Sequence, residues 1–374
     1  MNKSFYITIS FILSIAALLW FVYPPSKPPI KIGLMVSLTG SSPELGREIR
    51  DGAFMAVEEI NREGGVRGRK LELIIKDNKE NVEIAKINYL ELIDEGVVAV
   101  IGPSTSTRAR ELLPLINEEK VLTISPTVSG NIFAKRDDYF IRLEPTNNEF
   151  GRSLGKYVKD KIKPKRVLLM VDERNPIYTA DFAGSFIMQL NKSSSIFSIP
   201  IEKNISDFNA LIEKALKYRP DFILMVTDIF NASIITQKIR TLNPKVKLAI
   251  SPWARFYGFI SFAGHFAEGV LSVGYYDESP KNENYMIFKA KFMQKFGYPP
   301  DSSVINSYNA VMLIKEAIMR GGESDKVRKN IINGTFRLPL GELKIDRYGD
   351  AEIKPFVVEI RKGMFERIEY ESNI

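Results

Sequence analysis

Residues 97–130, VVAVIGPSTSTRARELLPLINEEKVLTISPTVSG, contain the pattern that decides the fold. Two short apolar runs, 97–101 and 121–125, flank an amphipathic stretch with helical spacing at 107–119. Each run leads into small hydroxyl residues, STST after the first and PTVS after the second. A strand, a helix and a strand in this order predict a parallel βαβ unit. Ligands of open parallel sheets bind just beyond the carboxyl ends of the strands.

The two hydroxyl clusters have two interpretations. Ser and Thr are preferred N-caps of helices, so capping alone explains either cluster. Hydroxyls and free amides at a helix start also suit a carboxylate. Because the clusters follow two adjacent strands in register, the pair favours a binding site for a small zwitterion or acid.

The same alternation continues along the chain and predicts an α/β fold with two lobes of similar build. The predicted strands are 30–36, 71–76, 97–101 and 121–125 in the first half, then 166–171, 195–200, 221–226, 247–250 and 270–275. Helical patterns separate them, and further helices are predicted at 283–296, 302–320 and 324–333. The segments 341–344, 355–361 and 365–370 predict an antiparallel meander.

Composition limits the function classes. A chain of 374 residues exceeds the usual size of one core, so two domains are expected. Its 52 basic and 45 acidic residues are interspersed, whereas nucleic-acid binding needs a concentrated basic patch, so no nucleic-acid partner is expected. There is no cysteine and one histidine, His265, which excludes thiolate chemistry and a typical zinc site. No nucleophile elbow or complete nucleotide loop occurs, so we expect neither an enzyme nor a cofactor.

The N-terminus predicts attachment to a membrane. Lys3 precedes residues 5–23, which carry no charge, and a proline-rich stretch follows at 24–29. That length approaches the ~20 residues of a spanning helix, and no small-residue cleavage site follows the run. We therefore expect a single-pass anchor with the body of the protein extracytoplasmic. A signal peptide cleaved near residues 14–17 is the alternative.

The sequence also resembles a known family. Its motifs are IKIGLMVSLTG from Ile30, G-x-x-x-x-x-G-A-x-x-A-V-x-E-I-N-x-x-G-G-V-x-G over residues 46–68, VIGPSTS and ISPTVSG. Together they are similar to the leucine/isoleucine/valine-binding proteins, type 1 periplasmic solute-binding proteins of ABC transporters, over about 30–370. The resemblance implies two Rossmann-like lobes with parallel sheets joined by three crossovers. The implied division is 1–29 as anchor and linker, 30–145 with 279–337 as lobe 1, and 146–278 with 338–374 as lobe 2.

The resemblance also implies which residues hold the ligand. In lobe 1, Ser106 and Ser129 match hydroxyls that meet the ends of a zwitterion, and Thr127 matches a position contributing backbone. In lobe 2, Tyr178 matches an aromatic lid, although it would equally suit packing on its own lobe. Asp228 replaces a family aromatic, and either neutralises a ligand amine or caps the following helix.

Trp253 stands where branched-chain binders commonly have a glutamate, so the amine is recognised from another side or the ligand is not an amino acid. The expected function is capture of a small amino acid, branched-chain type favoured, by closure of the cleft, with ABC permease subunits as partners. A ligand-sensing receptor ectodomain and a binder of amides, urea or small organic acids are the alternatives.

Overall fold

The first of two lobes is built on a five-stranded sheet. The computed structural model describes residues 27–40, 43–322 and 326–370. In spatial order the strands of this sheet are β2 (Leu71–Asp77), β1 (Ile30–Val36), β3 (Val100–Ile101), β4 (Thr123–Ser125) and β5 (Phe140–Arg142). All neighbours are parallel, so the carboxyl ends of the five strands lie along one edge.

The second lobe repeats this arrangement in a seven-stranded sheet. Its strands in spatial order are β7 (Ser195–Ile201), β6 (Arg166–Asp172), β8 (Phe222–Val226), β9 (Lys247–Ile250), β10 (Leu271–Gly274), β13 (Phe356–Arg361) and β14 (Met364–Arg367). The first five are parallel, and the last two add antiparallel strands at one edge. The strand order reverses between β1 and β3 in the first lobe and between β6 and β8 in the second. Open α/β sheets bind ligands at such a reversal.

Helices cover both faces of each sheet. The α-helices of the described residues are α1 (Pro43–Arg62), α2 (Val82–Asp94), α3 (Ser106–Glu119), α4 (Asn147–Tyr157), α5 (Pro176–Ile187), α6 (Phe208–Lys217), α7 (Ile229–Leu242), α8 (Tyr257–Ala263), α9 (Glu283–Phe296), α10 (Ser302–Gly321) and α11 (Lys326–Ile331). In the first lobe α1 packs along α10, and in the second α4 packs along α5. Every residue of β8 is buried, as expected for a strand covered on both faces.

Two parts of the secondary-structure prediction were wrong. The strand β5 was not predicted, because Arg142 interrupts its apolar run after two residues. The predicted C-terminal meander is divided: β12 (Gly341–Ile345) pairs with the unpredicted strand β11 (Gly334–Leu338) in a separate hairpin, whereas β13 and β14 extend the second sheet. The hairpin is held apart because its apolar residues Phe336 and Leu343 pack in the core of the first lobe.

The division of the chain into lobes remains a proposal, and packing moves one of its limits. Leu338, Leu343 and Ile345 lie in the core of the first lobe, and so does Ala351. The chain next enters the second sheet at Phe356. We therefore propose that the third crossover lies between residues 351 and 356, rather than between 337 and 338, where the implied division of the chain places it.

The described residues contain no helix that is both long and apolar enough to cross a membrane. The predicted anchor at residues 5–23 lies outside the described residues.

Candidate functional site

The candidate site lies between the lobes, where strands of both sheets end. In the first lobe, β3 and β4 lead into the two hydroxyl clusters. In the second, β6, β8 and β9 lead into the loops that carry Arg174, Asp228 and Trp253. This placement follows from the parallel order of the strands, which brings segments distant in sequence to one edge.

The two hydroxyl clusters of the first lobe meet, as the sequence predicts, but they largely bond to each other. The Thr127 hydroxyl donates to the carbonyl of Ser104 at 2.8 Å. The Ser106 hydroxyl accepts a hydrogen bond from the amide of Gly130 at 3.1 Å, and Ser106 is 1% exposed. Thr105 caps α3 by accepting from the Arg108 amide. Capping and loop closure therefore account for the side chains of Ser106 and Thr127 in this arrangement.

Ser129 differs from its neighbours. Its side chain is fully buried, and among the described residues its hydroxyl has no hydrogen-bond partner. The carboxamide oxygen of Asn147 and the hydroxyl of Ser251 are buried in the same condition. A buried polar group without a partner costs about 1–3 kcal/mol, so such groups mark places where a ligand or water completes the bonding.

Contacts connect these unsatisfied groups across the lobes. The Asn147 amide donates to the carbonyl of Ser129 at 2.8 Å, and its side-chain nitrogen donates to the carbonyl of Tyr178 at 3.2 Å. The sequence analysis missed Asn147 and Ser251. Ser251 directly follows β9, so the rule of strand ends, which the sequence analysis applied to the two hydroxyl clusters, was enough to find it. Asn147 begins a helix, and its burial depends on contacts with both lobes.

Tyr178 and Trp253 form one aromatic unit in the second lobe. Their rings meet edge to face with centroids 5.8 Å apart, and the Trp253 amide donates to the Tyr178 hydroxyl at 3.1 Å. Tyr178 is 5% exposed and packs in the core of its own lobe, and this burial raises its pKa. Its predicted role as a lid over the cleft stays a prediction.

Asp228 is occupied on both carboxylate oxygens. One accepts from the Asn231 amide at 2.9 Å, which caps α7. The other forms an ion pair with Arg174, which also pairs with Asp172 at 2.5 Å. Asp228 therefore has the capping role that the sequence allowed, and it shares the single guanidinium of Arg174 with Asp172. Arg174 lies 54 residues before Asp228, and nothing in the local sequence indicates the pairing.

A cavity of about 480 Å³ opens between the lobes. Helix α1 supplies Glu44, Leu45 and Glu48, and the second lobe supplies the opposite wall. That wall consists of Arg174, Asp228, Ile229, Phe230, Asn231, Trp253, Phe256 and Phe262. The volume of this cavity is within the range of small-molecule sites, and the walls of the cavity are largely apolar with a few polar groups. A larger cavity of about 730 Å³, around Lys156 and Lys354, lies away from these strand ends.

The two lobes also touch directly beside the cleft. The carboxamide oxygen of Asn175 accepts from the amide and the hydroxyl of Thr107, at 3.2 and 2.9 Å. A carboxylate oxygen of Asp181 accepts from the Asn131 amide at 2.6 Å. Thr107 and Asn131 belong to the first lobe. In the second lobe, Asn175 directly precedes α5 and Asp181 lies within it. The arrangement is that of two lobes drawn together over the cavity.

In the described part of the chain, no three His, Cys, Asp or Glu side chains are grouped so that they could hold a metal ion.

Two similar lobes with a cavity between their strand ends define a class of protein that captures a small solute. Residues 29–363 match the family model described as periplasmic binding protein, and the chain belongs to this family. It is therefore a binding protein and not an enzyme.

Relatives of known name support the family that the motifs indicated. The leucine-, isoleucine-, valine-, threonine- and alanine-binding protein of Pseudomonas aeruginosa is 26% identical over 348 residues, covering 90% of this chain and 91% of its own. The Leu/Ile/Val-binding protein of Escherichia coli K12 is 23% identical, covering 86% of this chain and 88% of its own.

Solved structures confirm the two-lobed fold. The substrate-binding protein LivJ of a branched-chain amino acid transporter from Streptococcus pneumoniae, in complex with isoleucine, is similar with a TM-score of 0.82. It is 22% identical, and the match covers 90% of this chain and 98% of that one. A solute-binding protein from R. palustris in complex with benzoate has a TM-score of 0.81 at 19% identity, covering 91% and 95%. At these identities the likeness establishes the fold alone.

Proposed function

We propose that this protein captures a small amino acid outside the cytoplasm and delivers it to an ABC transporter. An apolar side chain of the branched-chain type is favoured. The observation that carries the proposal is the cavity of about 480 Å³ between Leu45 of the first lobe and Trp253 and Phe256 of the second. Its apolar walls suit an aliphatic side chain. Ser129 does not line this cavity, but its buried hydroxyl has no partner among the described residues, so we propose that it bonds to the polar end of a bound ligand.

The charges of the cleft support an amino acid over a simple acid. Arg174 is the cation in the cavity wall, and it is already paired with Asp172 and Asp228. A ligand carboxylate would have to compete with two carboxylates for that guanidinium, whereas the amine of an amino acid would be attracted by the negative charge that two carboxylates and one guanidinium leave. Relatives that are named for leucine, isoleucine and valine binding agree with this preference.

Capture would proceed by closure of the lobes. A ligand bound at the first-lobe strand ends adds contacts with Trp253 and its neighbours only when the lobes are together. Such differential contacts shift the population towards the closed state. The bonds from Thr107 to Asn175 and from Asn131 to Asp181 would then strengthen the closed arrangement.

The test is ligand binding by the full chain and by Ser129→Ala. Leucine, isoleucine and valine should raise the thermal unfolding temperature of the wild type, since a ligand stabilises the state that binds it. Ser129→Ala should lower the affinity for the best of them by roughly tenfold to hundredfold, the usual effect of losing a hydrogen bond to a charged group. Isothermal titration calorimetry measures both proteins.

Ser233→Ala is the matched control. Ser233 is also a buried serine, but its hydroxyl bonds to the carbonyl of Ile229 within its own helix at 2.7 Å. It should bind leucine within about threefold of the wild type, because no ligand bond is lost. If the wild type is stabilised by no amino acid, the proposed function is wrong. If Ser129→Ala binds as tightly as Ser233→Ala, the site lies elsewhere.

We further propose that residues 5–23 hold the protein to the membrane with its lobes outside the cytoplasm. This proposal comes from the length and apolar character of that segment. We expect the full chain to stay with the membrane fraction after a high-salt wash of cells. A soluble protein whose intact mass begins near residue 17 or later would contradict the anchor and favour a cleaved signal peptide.

A further inference from the structure

Three carboxylates line the cavity between the lobes, and they differ in environment. Glu44 is exposed to solvent at the start of α1. Asp228 caps α7 and is ion-paired with Arg174, which it shares with Asp172. Glu48, one helical turn beyond Glu44, is 7% exposed and forms no ion pair with any described residue. Glu48 is therefore the buried carboxylate of the cavity without an ion pair among the described residues, and the exposed Arg47 beside it in α1 lowers its pKa less than burial raises it.

The neighbours of Glu48 satisfy it only in part. The hydroxyl of Ser303 lies 3.0 Å from a carboxylate oxygen of Glu48 and 2.7 Å from one of Asp301. A hydroxyl has one hydrogen, so it donates to one carboxylate at a time. Asp301 also caps α10, accepting from the amides of Ser303 and Val304. Asp301 thus has backbone donors in addition to the serine. Glu48 has the shared hydroxyl and a hydrogen bond with the Asp301 carboxyl group, which requires one of the two groups to carry a proton.

Burial has a direct consequence for the charge of this pair. Desolvation, and after it the nearby Asp301, raise the pKa of Glu48 well above its ordinary value. Desolvation likewise raises the pKa of Asp301 to about 6. Two buried carboxyl groups so close to each other resist becoming charged together, unless a cation joins them.

The opposite wall of the cavity supplies no such cation to Glu48. It presents the apolar side chains of Ile229, Trp253 and Phe256, while its guanidinium, that of Arg174, is paired within the second lobe. A charged carboxylate facing apolar groups is unfavourable without a paired and hydrogen-bonded partner. A ligand that carries a primary ammonium group would be that partner, and an anionic ligand would be repelled.

We propose that Glu48 binds a primary ammonium group of the ligand and so makes the cleft select amines over the corresponding acids. This inference rests on the proposed function and names the residue that replaces the acid missing at Trp253. The ammonium belongs either to the α-carbon or to the end of a side chain. Because the apolar wall faces Glu48, an α-amine with an aliphatic side chain fits the cavity better than a second charged group.

The test compares leucine, its des-amino analogue 4-methylpentanoate, and lysine on the full chain. Affinities of the wild type and of Glu48→Gln are measured by calorimetry, with competition for weak ligands. The preference of the wild type for leucine over 4-methylpentanoate should fall by at least roughly tenfold in Glu48→Gln, the loss expected for a bond between charged groups. Tighter binding of lysine than of leucine by the wild type, lost in Glu48→Gln, would assign the ammonium to a side chain.

Two further variants keep the result interpretable. Glu44→Gln removes a carboxylate from the same helix and cavity but at an exposed position, and it should change the leucine preference by less than about threefold. Glu48→Asp retains the charge and should keep most of the preference, even if Glu48→Gln folds poorly. An equal loss for leucine and 4-methylpentanoate in both Glu48 variants would overturn the inference. A wild type that binds no amine at all would instead show that the proposed function is wrong.

Discussion

Replacing Arg142 with methionine should destabilise the folded chain by about 3–5 kcal/mol, the usual result of removing one partner from a buried ion pair. Arg142, at the end of β5, is 1% exposed. Its guanidinium donates to a carboxylate oxygen of Asp350 at 2.6 and 3.0 Å, and to the carbonyl of Gly130 at 3.0 Å. The variant leaves the Asp350 carboxylate and the Gly130 carbonyl without these donors. Denaturant unfolding of the full chain measures the change.

Arg361→Met is the matched control for Arg142→Met. Arg361 also pairs with a carboxylate, that of Glu359, at 2.7 Å, but its side chain is half exposed. Exposed pairs contribute about 0–1 kcal/mol, so this variant should unfold close to the wild type. Equal stability of the two variants would show that the Arg142 pair does not hold the fold together.

The Arg142 variant should also reduce ligand affinity. Gly130, whose carbonyl Arg142 holds, directly follows Ser129, and its amide donates to Ser106. Loosening this loop would displace the unsatisfied Ser129 hydroxyl from the site. Arg361 lies far from this loop in the second sheet, so its variant should bind leucine normally.

The sequence predicted most strands of the two parallel sheets well for a physical reason. The strand β1 (Ile30–Val36) and the strand β9 (Lys247–Ile250) have the predicted limits, since apolar runs buried on both faces are conspicuous between polar turns. The strand β5 escaped prediction because it is short and ends in an arginine. The burial of that arginine depends on its ion pair with Asp350, 208 residues later in the chain. Such a pairing has no local signal.

The candidate site likewise has features with a local sequence signal and features that depend on residues distant in the chain. The rule of strand ends singled out both hydroxyl clusters from the sequence alone, whereas Trp253 was indicated only by the family resemblance. The rule could not show that Asp228 is ion-paired with Arg174, and it could not indicate Glu48, which lies within a helix and forms no ion pair with any described residue. Glu48 lies on an amphipathic helix, where a glutamate usually faces solvent. Its burial results from Ser303 and Asp301, which the fold brings from more than 250 residues away.

Replacing Gly52 with alanine should destabilise the protein by about 3 kcal/mol, the upper part of the range for overpacking a core. Gly52 lies in α1 where that helix crosses α10. A Cβ atom at this position would lie 2.2 Å from the hydroxyl of Ser307 and 2.3 Å from the carbonyl oxygen of Val304. The serine can rotate, but the carbonyl belongs to the backbone of α10, so the two helices must move apart.

Gly184→Ala provides a control of opposite sign. Gly184 is also a helical glycine, in α5, and a Cβ atom there would meet no atom within 4 Å. Alanine restricts the unfolded chain and favours the helix, so this variant should gain about 0.5–1 kcal/mol. The comparison separates the steric effect at Gly52 from the general effect of alanine in a helix, and denaturant unfolding of both variants measures it.

The Gly52 variant also bears on the ligand. Helix α1 carries Leu45 and Glu48 into the cavity, and Asp301 caps α10 beside them. If the helices separate, Glu48 loses its contact with Ser303 and the cavity changes shape. We therefore expect Gly52→Ala to lower leucine affinity, whereas Gly184→Ala should leave it unchanged, because α5 contributes no side chain to the cavity. A Gly52→Ala protein as stable as Gly184→Ala would contradict the close crossing of α1 and α10 on which the position of Glu48 depends.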